Sequence, residues 1–396
     1  MNIILFDGEN RKNLLPLCFT RPVAGLRTGI LTIQEKWEQR LPGNYSWKTA
    51  PYLQQKYPLV VAAKNLLINA QVCPNDELAA QISQLDSGTG ICYGGVNVAA
   101  CLDESAEEAF FEGDVSVRWI DFTGHLDVIH YPWDLVEVNA NQIQLDFDLL
   151  TANRESEPIS HTNQLIHPEN IFVEQGARLE FATINATAGP VYIGRDAEVM
   201  EGSFIRGPFV LGEHAVVNMG SKIYGGTTIG PYCKVGGEIS QSILTGFSNK
   251  GHDGFLGHSV LGEWCNLGAG TNVSNLKNNY EQVRMWNYTT ERFLKTGLQF
   301  GGLIMGDHSK AGISSMFNTG TVVGVACNIH GAGFPRQFVP SFADGGAAGF
   351  KLHTLKNVFS TASKVMARRN QVLTEVDQEI LSAVFEQTAA FRRFQN

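Results

Sequence analysis

The chain lacks any excess of positive charge: 30 lysines and arginines stand against 39 aspartates and glutamates, a formal net charge of −9. A phosphate polyanion or anionic membrane surface would meet a repulsive field, which argues against a general nucleic-acid or membrane-surface binder. Any anionic ligand must be held by local positive groups. Close cysteine pairs are also missing. Cys18, Cys73, Cys92, Cys101, Cys233, Cys265 and Cys327 are scattered without metal-ligand or redox spacing and read as reduced, mostly buried thiols of a cytoplasmic protein. No apolar run is long enough to span a bilayer, and Met1 to Phe6 reads as a strand without a basic flank or cleavage site, so a soluble, unexported chain is expected.

What the chain has is a repeat. An aliphatic residue returns at every sixth position in Ile193, Val199, Ile205, Leu211, Val217, Ile223, Ile229 and Val235. A period of six fits neither a helix nor the alternation of a sheet, so it reflects a unit that turns a corner every six residues. Each unit is one side of a triangular coil whose aliphatic side chains point to the axis. After Val235 the register slips. Phe255, Leu261, Leu267 and Val273 form a second block, and Met305, Ala311, Phe317, Val323 and Ile329 a third, after an insertion from about 275 to 299. The repeat resembles the left-handed parallel β-helix of the hexapeptide acyltransferases.

Residues 1–150 read as an α/β domain: a strand at Ile3–Phe6, a helix around Ile30 to Arg40, a strand at Leu59–Ala62 and a helix after Pro74. The polar stretch Thr151–His161 is the linker. The β-helix is expected over 160–350, and 351–396 carries two stretches with helical spacing. Between 351 and 369, Lys351, Lys356, Lys364, Arg368 and Arg369 occur without one acid. That run is either a solvated face or a phosphate contact for a coenzyme lying along the coil.

The chemistry gathers where the repeat is interrupted. Gly251-His252-Asp253-Gly254-Phe255-Leu256-Gly257 is followed by Asn266-Leu267-Gly268-Ala269-Gly270-Thr271 and Ser274-Asn275-Leu276-Lys277. An ammonium group cannot attack a thioester until a base takes its proton, and imidazole suits that task near neutral pH. This segment resembles the acetyltransferase half of the GlmU family, with Asn275-Leu276-Lys277 closer to its archaeal branch. The resemblance implies acetyl-CoA as acyl donor, an amino-sugar 1-phosphate as acceptor, and a homotrimer. It implies His252 as base, Glu238 as the carboxylate orienting it, and Asn275 and Asn266 on the sugar. Lys277 and Lys222 are then candidates for its phosphate, and Phe255 stands where the family usually has tyrosine. Ala269, Gly312, Gly331 and Ala332 would line the coenzyme groove, with Arg368 near the coenzyme phosphates. His214, His258, His308 and His330 raise a zinc site, but His252 and His258 are six apart and fall on successive sides of the triangle.

In the N-terminal half, Phe6-Asp7-Gly8-Glu9-Asn10-Arg11 stands where related nucleotidyltransferases carry a glycine-rich loop. With Phe19-Thr20-Arg21-Pro22 and Leu26-Arg27-Thr28-Gly29 it resembles the alternative bacterial GlmU-type family. That resemblance implies a nucleoside triphosphate held near Asp7, Gly8, Arg11, Arg21 and Arg27, and Mg²⁺ held by Asn139 of the Pro132-Trp133-Asp134-Leu135 run and by Asn69. Amides are weaker Mg²⁺ ligands than carboxylates, and Asp7 or Asp134 is available to compensate. The expectation is a bifunctional enzyme that acetylates an amino-sugar 1-phosphate and joins a sugar 1-phosphate to UTP or dTTP. The alternatives are a nucleotidyltransferase with the coil as trimerising scaffold, and a sugar-nucleotide binding module.

Overall fold

A computed structural model describes residues 1–395 and divides them into two compact units. The first comprises Met1–Leu14, Arg21–Leu26 and Leu31–His130; the second comprises Leu15–Thr20, Arg27–Ile30 and the chain from Tyr131 onward. The last division between them falls at His130/Tyr131. The reason is the helix Asp134–Thr151, which packs on coil strands Phe209–Leu211 and Thr227–Ile229 of the second unit.

The first unit is a mixed six-stranded sheet with helices α1 (Ile33–Glu38), α2 (Asp76–Ser83) and α3 (Glu104–Glu112). Its strands are β1 (Asn2–Phe6), β2 (Asn44–Lys48), β3 (Lys64–Asn69), β4 (Thr89–Tyr93), β5 (Val96–Asp103) and β6 (Arg118–Asp121), in spatial order β2-β1-β3-β5-β4-β6. β1 runs parallel to β2 and β3, and β5 is antiparallel to both its neighbours. Ile3 to Phe6 are all buried, as a central strand covered on both faces requires. Two sequence expectations move. The strand expected at Leu59–Ala62 forms at Lys64–Asn69, while Leu59 and Val61 pack as half-buried loop residues. The first helix is shorter than expected because Thr32 stops it with a capping box to Glu35.

The second unit is a left-handed parallel β-helix followed by C-terminal helices. Ile193 pairs with Leu211 and Leu211 with Ile229; Val199 pairs with Val217 and Val217 with Val235. Each coil thus contributes a short strand to three sheets, of six, nine and ten strands. All eight aliphatics of the first block are at most 2% exposed, and together they form the axis of the core. The second block is one residue out of phase with expectation at its start. Ile239 pairs with Leu256, which is fully buried, so Phe255 faces outward. The insertion forms a hairpin, Arg284–Asn287 with Arg292–Lys295. Helices Leu355–Ala367 and Glu375–Gln387 close the chain, their N-termini capped by Thr354 and Thr374. No helix among the described residues is long and apolar enough to cross a membrane.

Candidate functional site

Three sides of the coil bring the sequence candidates to different places. On one side, the residue before each inward position forms a polar column: Lys234, Asn249, Asn266, Lys310 and Asn328 are paired in register from coil to coil. The C-terminal helix Leu355–Ala367 lies against this side, anchored where the Arg369 guanidinium donates to Asn249 Oδ1 at 3.2 Å. Between them is a cavity of about 600 Å³, whose lining includes His252, Asn266, Ala269, Lys310, Arg368 and Arg369. Four sequence candidates, His252, Asn266, Ala269 and Arg368, therefore share one cleft.

Its walls carry the right chemistry for an acyl-coenzyme A. Lys234, Arg368 and Arg369 supply local positive charge in an acidic protein, and Phe247, Trp264 and Ile313 supply apolar surface. Phe247 and Trp264 belong to a stacked column at one corner, with ring centroids 4.3 Å apart. Burial pushes the Lys310 ammonium down to about 8. The candidates Gly312 and Gly331 follow Ala269 along the same edge, since Ser314 N–H donates to Ala269 O and Gly312 lies against His330. Ala332 next to Gly331 is exposed.

His252 itself is exposed, in the corner between strands Asn249–Lys250 and Phe255–Gly257. Its loop is tied down on both sides: Asn218 Nδ2 donates to Gly251 O at 2.7 Å and Gly270 N–H to Asp253 O at 3.0 Å. Around that corner the next side of the coil carries Lys222, Glu238 and Phe255 on three successive coils in register. The Phe255 ring and the Asn275 amide both overhang Gly257, where an added Cβ would lie 2.6 Å from each. Asn275 Nδ2 sits 2.9 Å from His258 Nδ1, and the His258 ring stacks on Phe300. The face group of Lys222, Glu238, Phe255 and Asn275 is thus separate from the cavity group, with His252 at the corner joining the two sides. Lys277 lies apart, beside a polar depression with Asn278, Asn279, Asn318 and Thr319.

His258 gives a pH signature. Burial pushes its imidazole down from 6.5 to about 4, so between these values the unfolded chain binds a proton that the native state refuses. Stability from this site is complete above about pH 6.5 and is lost as pH falls towards 4. Thermal melts from pH 7 to 4.5 should show a steeper loss for wild type than for His258→Asn; parallel slopes would remove His258 as the cause.

In the first unit the expected nucleotide loop is closed by its own contacts. Asp7 accepts from Val23 N–H at 2.7 Å and from Thr49 Oγ1 at 2.5 Å, and pairs with Arg11 at 2.8 Å. Burial nevertheless raises its carboxyl above the usual range. Arg11 also reaches Tyr52 Oη at 3.2 Å. Gly8 packs so closely that an added Cβ would lie 2.2 Å from Gln71 Oε1. Arg21 is only 7% exposed. Arg27, in the second unit, donates to the carbonyls of Ile30 and Thr245. The Arg11 and Arg27 guanidinium groups, expected at the nucleotide, thus each engage protein acceptors.

The two amides expected at Mg²⁺ are engaged with the protein as well. Asn69 Oδ1 accepts from Gln71 N–H at 3.0 Å and its amide donates to Asn97 O at 3.1 Å. Asn139 is fully buried; its Oδ1 accepts from Gly29 N–H at 2.7 Å, and its amide donates to Gly226 O at 2.9 Å. Asp134 accepts from Tyr131 N–H at 2.8 Å. Neutral amides bound in this way do not fit a Mg²⁺ site, and no cluster of three or more His, Cys, Asp or Glu among the described residues could hold a metal.

Sequence reasoning missed Lys234, Lys310 and the aromatic wall, and named Arg369 only as one of a basic run. A signal for the first two was present, since lysine or asparagine precedes the inward residue in coil after coil. Arg369 depends on where a helix more than a hundred positions later docks.

Among known protein families, the one described as sugar nucleotidyl transferase matches residues 3–155. The chain is 28% identical over 220 residues to the bifunctional sugar-1-phosphate nucleotidylyltransferase/acetyltransferase of Sulfurisphaera tokodaii, covering 55% of this chain and 48% of that protein. It is 33% identical over 90 residues to the bifunctional protein GlmU of Methanocaldococcus jannaschii, covering 23% of this chain and 21% of the relative. The chain thus spans about half the length, or less, of these relatives. Among solved structures, a UDP-N-acetylglucosamine acyltransferase from Campylobacter jejuni is similar at 14% identity with a TM-score of 0.19, over 59% of this chain and 96% of that one.

Proposed function

We propose, with residues 3–155 as a member of the sugar nucleotidyl transferase family and the coil cleft as a coenzyme site, that this chain is a bifunctional sugar-phosphate transferase. The coil transfers acetyl from acetyl-CoA to the amine of an amino-sugar 1-phosphate. The N-terminal domain joins a sugar 1-phosphate to UTP or dTTP. The observation that carries the first activity is the convergence of an exposed imidazole, His252, with Ala269 and the basic Arg368 and Arg369 in one cleft.

Acetyl-CoA supplies an activated acyl thioester. His252 takes the proton that the amine must lose as its nitrogen bonds to the acyl carbon and the carbon–sulfur bond breaks, and it returns a proton to the leaving thiolate. In this reading Lys222, one side of the coil away, meets the phosphate of the sugar, Asn275 and Phe255 meet the sugar, and Glu238 on the same side orients His252. Arg368 and Arg369 offer guanidinium forks to the coenzyme phosphates. The assembly proposed is a homotrimer. Exposed Phe181, Phe204 and Met219, at 64%, 57% and 70%, give the coil an apolar surface for copies to cover, and a sedimentation-equilibrium mass tests it.

A second reading concerns residues 3–155 alone: binding of a sugar nucleotide without transfer. It is favoured by the engagement of Asp7, Arg11 and Asn69 with protein partners. One experiment separates the readings. Thiol release from acetyl-CoA is measured with glucosamine 1-phosphate and galactosamine 1-phosphate, and pyrophosphate release is measured with UTP and dTTP. Sugar-dependent thiol release supports the acetyltransferase, and silence with every amino-sugar phosphate leaves the coil a scaffold. Thiol release without pyrophosphate selects the binding role for residues 3–155.

A further inference from the structure

Lys250 occupies a place in the coil that belongs to an aliphatic residue. Val199, Val217 and Val235 stack in register along one side, and the next residue in that column is Lys250, paired with Val235. The coil after it carries Leu267 in the same column, since Asn249 pairs with Asn266. Lys250 is 1% exposed. Its ammonium donates to Gly236 O at 3.1 Å and, by a shorter contact, to the backbone carbonyl of His252.

An ammonium in a hydrophobic column is costly unless fully bonded, and a well-packed apolar residue of similar volume is commonly as stable or more so. Stability alone does not explain a lysine here. Its position does: it stands two residues before the candidate base and bonds that residue's own carbonyl. The previous coil comes equally close, because a Cβ added to Gly237 would lie 2.8 Å from His252 O. His252 O is thus held between the Gly237 turn and the Lys250 ammonium. Asn218 on Gly251 O and Gly270 on Asp253 O fix the residues on either side. The imidazole is exposed, so this backbone clamp fixes the point from which it enters the cleft.

We infer that Lys250 is a positioning residue for acyl transfer, holding the His252 peptide in the orientation that aims the imidazole at the amine. The inference rests on the reading of His252 as the base. Burial pushes the Lys250 ammonium down to about 8, with Asp253 opposing the shift, consistent with a cation retained in an apolar setting for its hydrogen bonds.

The test uses the full chain with acetyl-CoA and whichever amino-sugar 1-phosphate supports thiol release. Lys250→Met, which fills the column, should leave the melting temperature close to wild type and the KM for acetyl-CoA within about twofold. Its kcat should fall roughly 10- to 100-fold, as displaced catalytic groups do. Lys250→Arg, which keeps the donors, should recover part of the loss. In a His252→Ala background, Lys250→Met should have no further effect. Lys250→Gln, uncharged and shorter, replaces the methionine variant if that one does not fold. A full kcat in the methionine variant, with activity abolished by His252→Ala, would make Lys250 a core residue only and leave the base assignment standing. Full activity in His252→Ala would instead remove the base, and the positioning role with it.

Discussion

Replacing His252 by alanine should lower kcat for acetyl transfer by roughly 10²- to 10⁴-fold, the range that a positioned general base contributes. The expectation follows from where the ring is. It is exposed at a coil corner and lines the cleft that Arg368 and Arg369 make electropositive. An exposed ring removes little packing when truncated, so stability should change by no more than about 0.5 kcal/mol. In the proposed site the coenzyme contacts fall to other residues, so the KM for acetyl-CoA should move little. Kinetics on the variant, with a melt to confirm folding, check all three points together. A large rise in KM with kcat retained would make His252 a binding residue, and an unchanged rate would return the coil to a scaffold.

How much of this was legible in the sequence depends on whether the signal was local. The eight aliphatics from Ile193 to Val235 all point inward because each coil there repeats without insertion, so sequence spacing is spatial spacing. The phase was lost at Phe255 because the coils shorten beyond Val235: Ile229 pairs with Leu244 and Val235 with Lys250. A charged residue in the inward column then hid the pattern at the coil that matters most. His252, Asn266 and Ala269 were readable because their motif is contiguous, and they line one cleft. Arg369 was readable only as one of a basic run, because its place depends on a helix docking on Asn249 from far along the chain. Arg27 and Asn139 are a different case. Resemblance transfers residue types, whereas their side chains are spent on partners, such as Thr245 O and Gly226 O, that no local motif contains.

Asn139 turns that last point into a measurement. Its side chain is the hub of a buried network. Oδ1 accepts from Gly29 N–H, lies 3.2 Å from Thr228 Oγ1 and 3.4 Å from Thr28 Oγ1, and the amide donates to Gly226 O. Thr28 and Thr228 also donate to Leu135 O and Gly29 O, so the hub ties the Arg27–Ile30 segment and helix Asp134–Thr151 to the coil. Asn139→Asp keeps the shape and the acceptors but replaces the donor with an oxygen facing Gly226 O, and it buries a charge. That should cost about 2–4 kcal/mol, because an unsatisfied buried carbonyl and an uncompensated carboxylate are both penalised. A metal site would respond in the opposite direction, since carboxylate binds Mg²⁺ better than amide does. Thermal melts with and without Mg²⁺ therefore decide by sign. A lower melting temperature that Mg²⁺ does not restore assigns Asn139 to the clamp. A variant stabilised by Mg²⁺ beyond the wild-type response would return it to the metal.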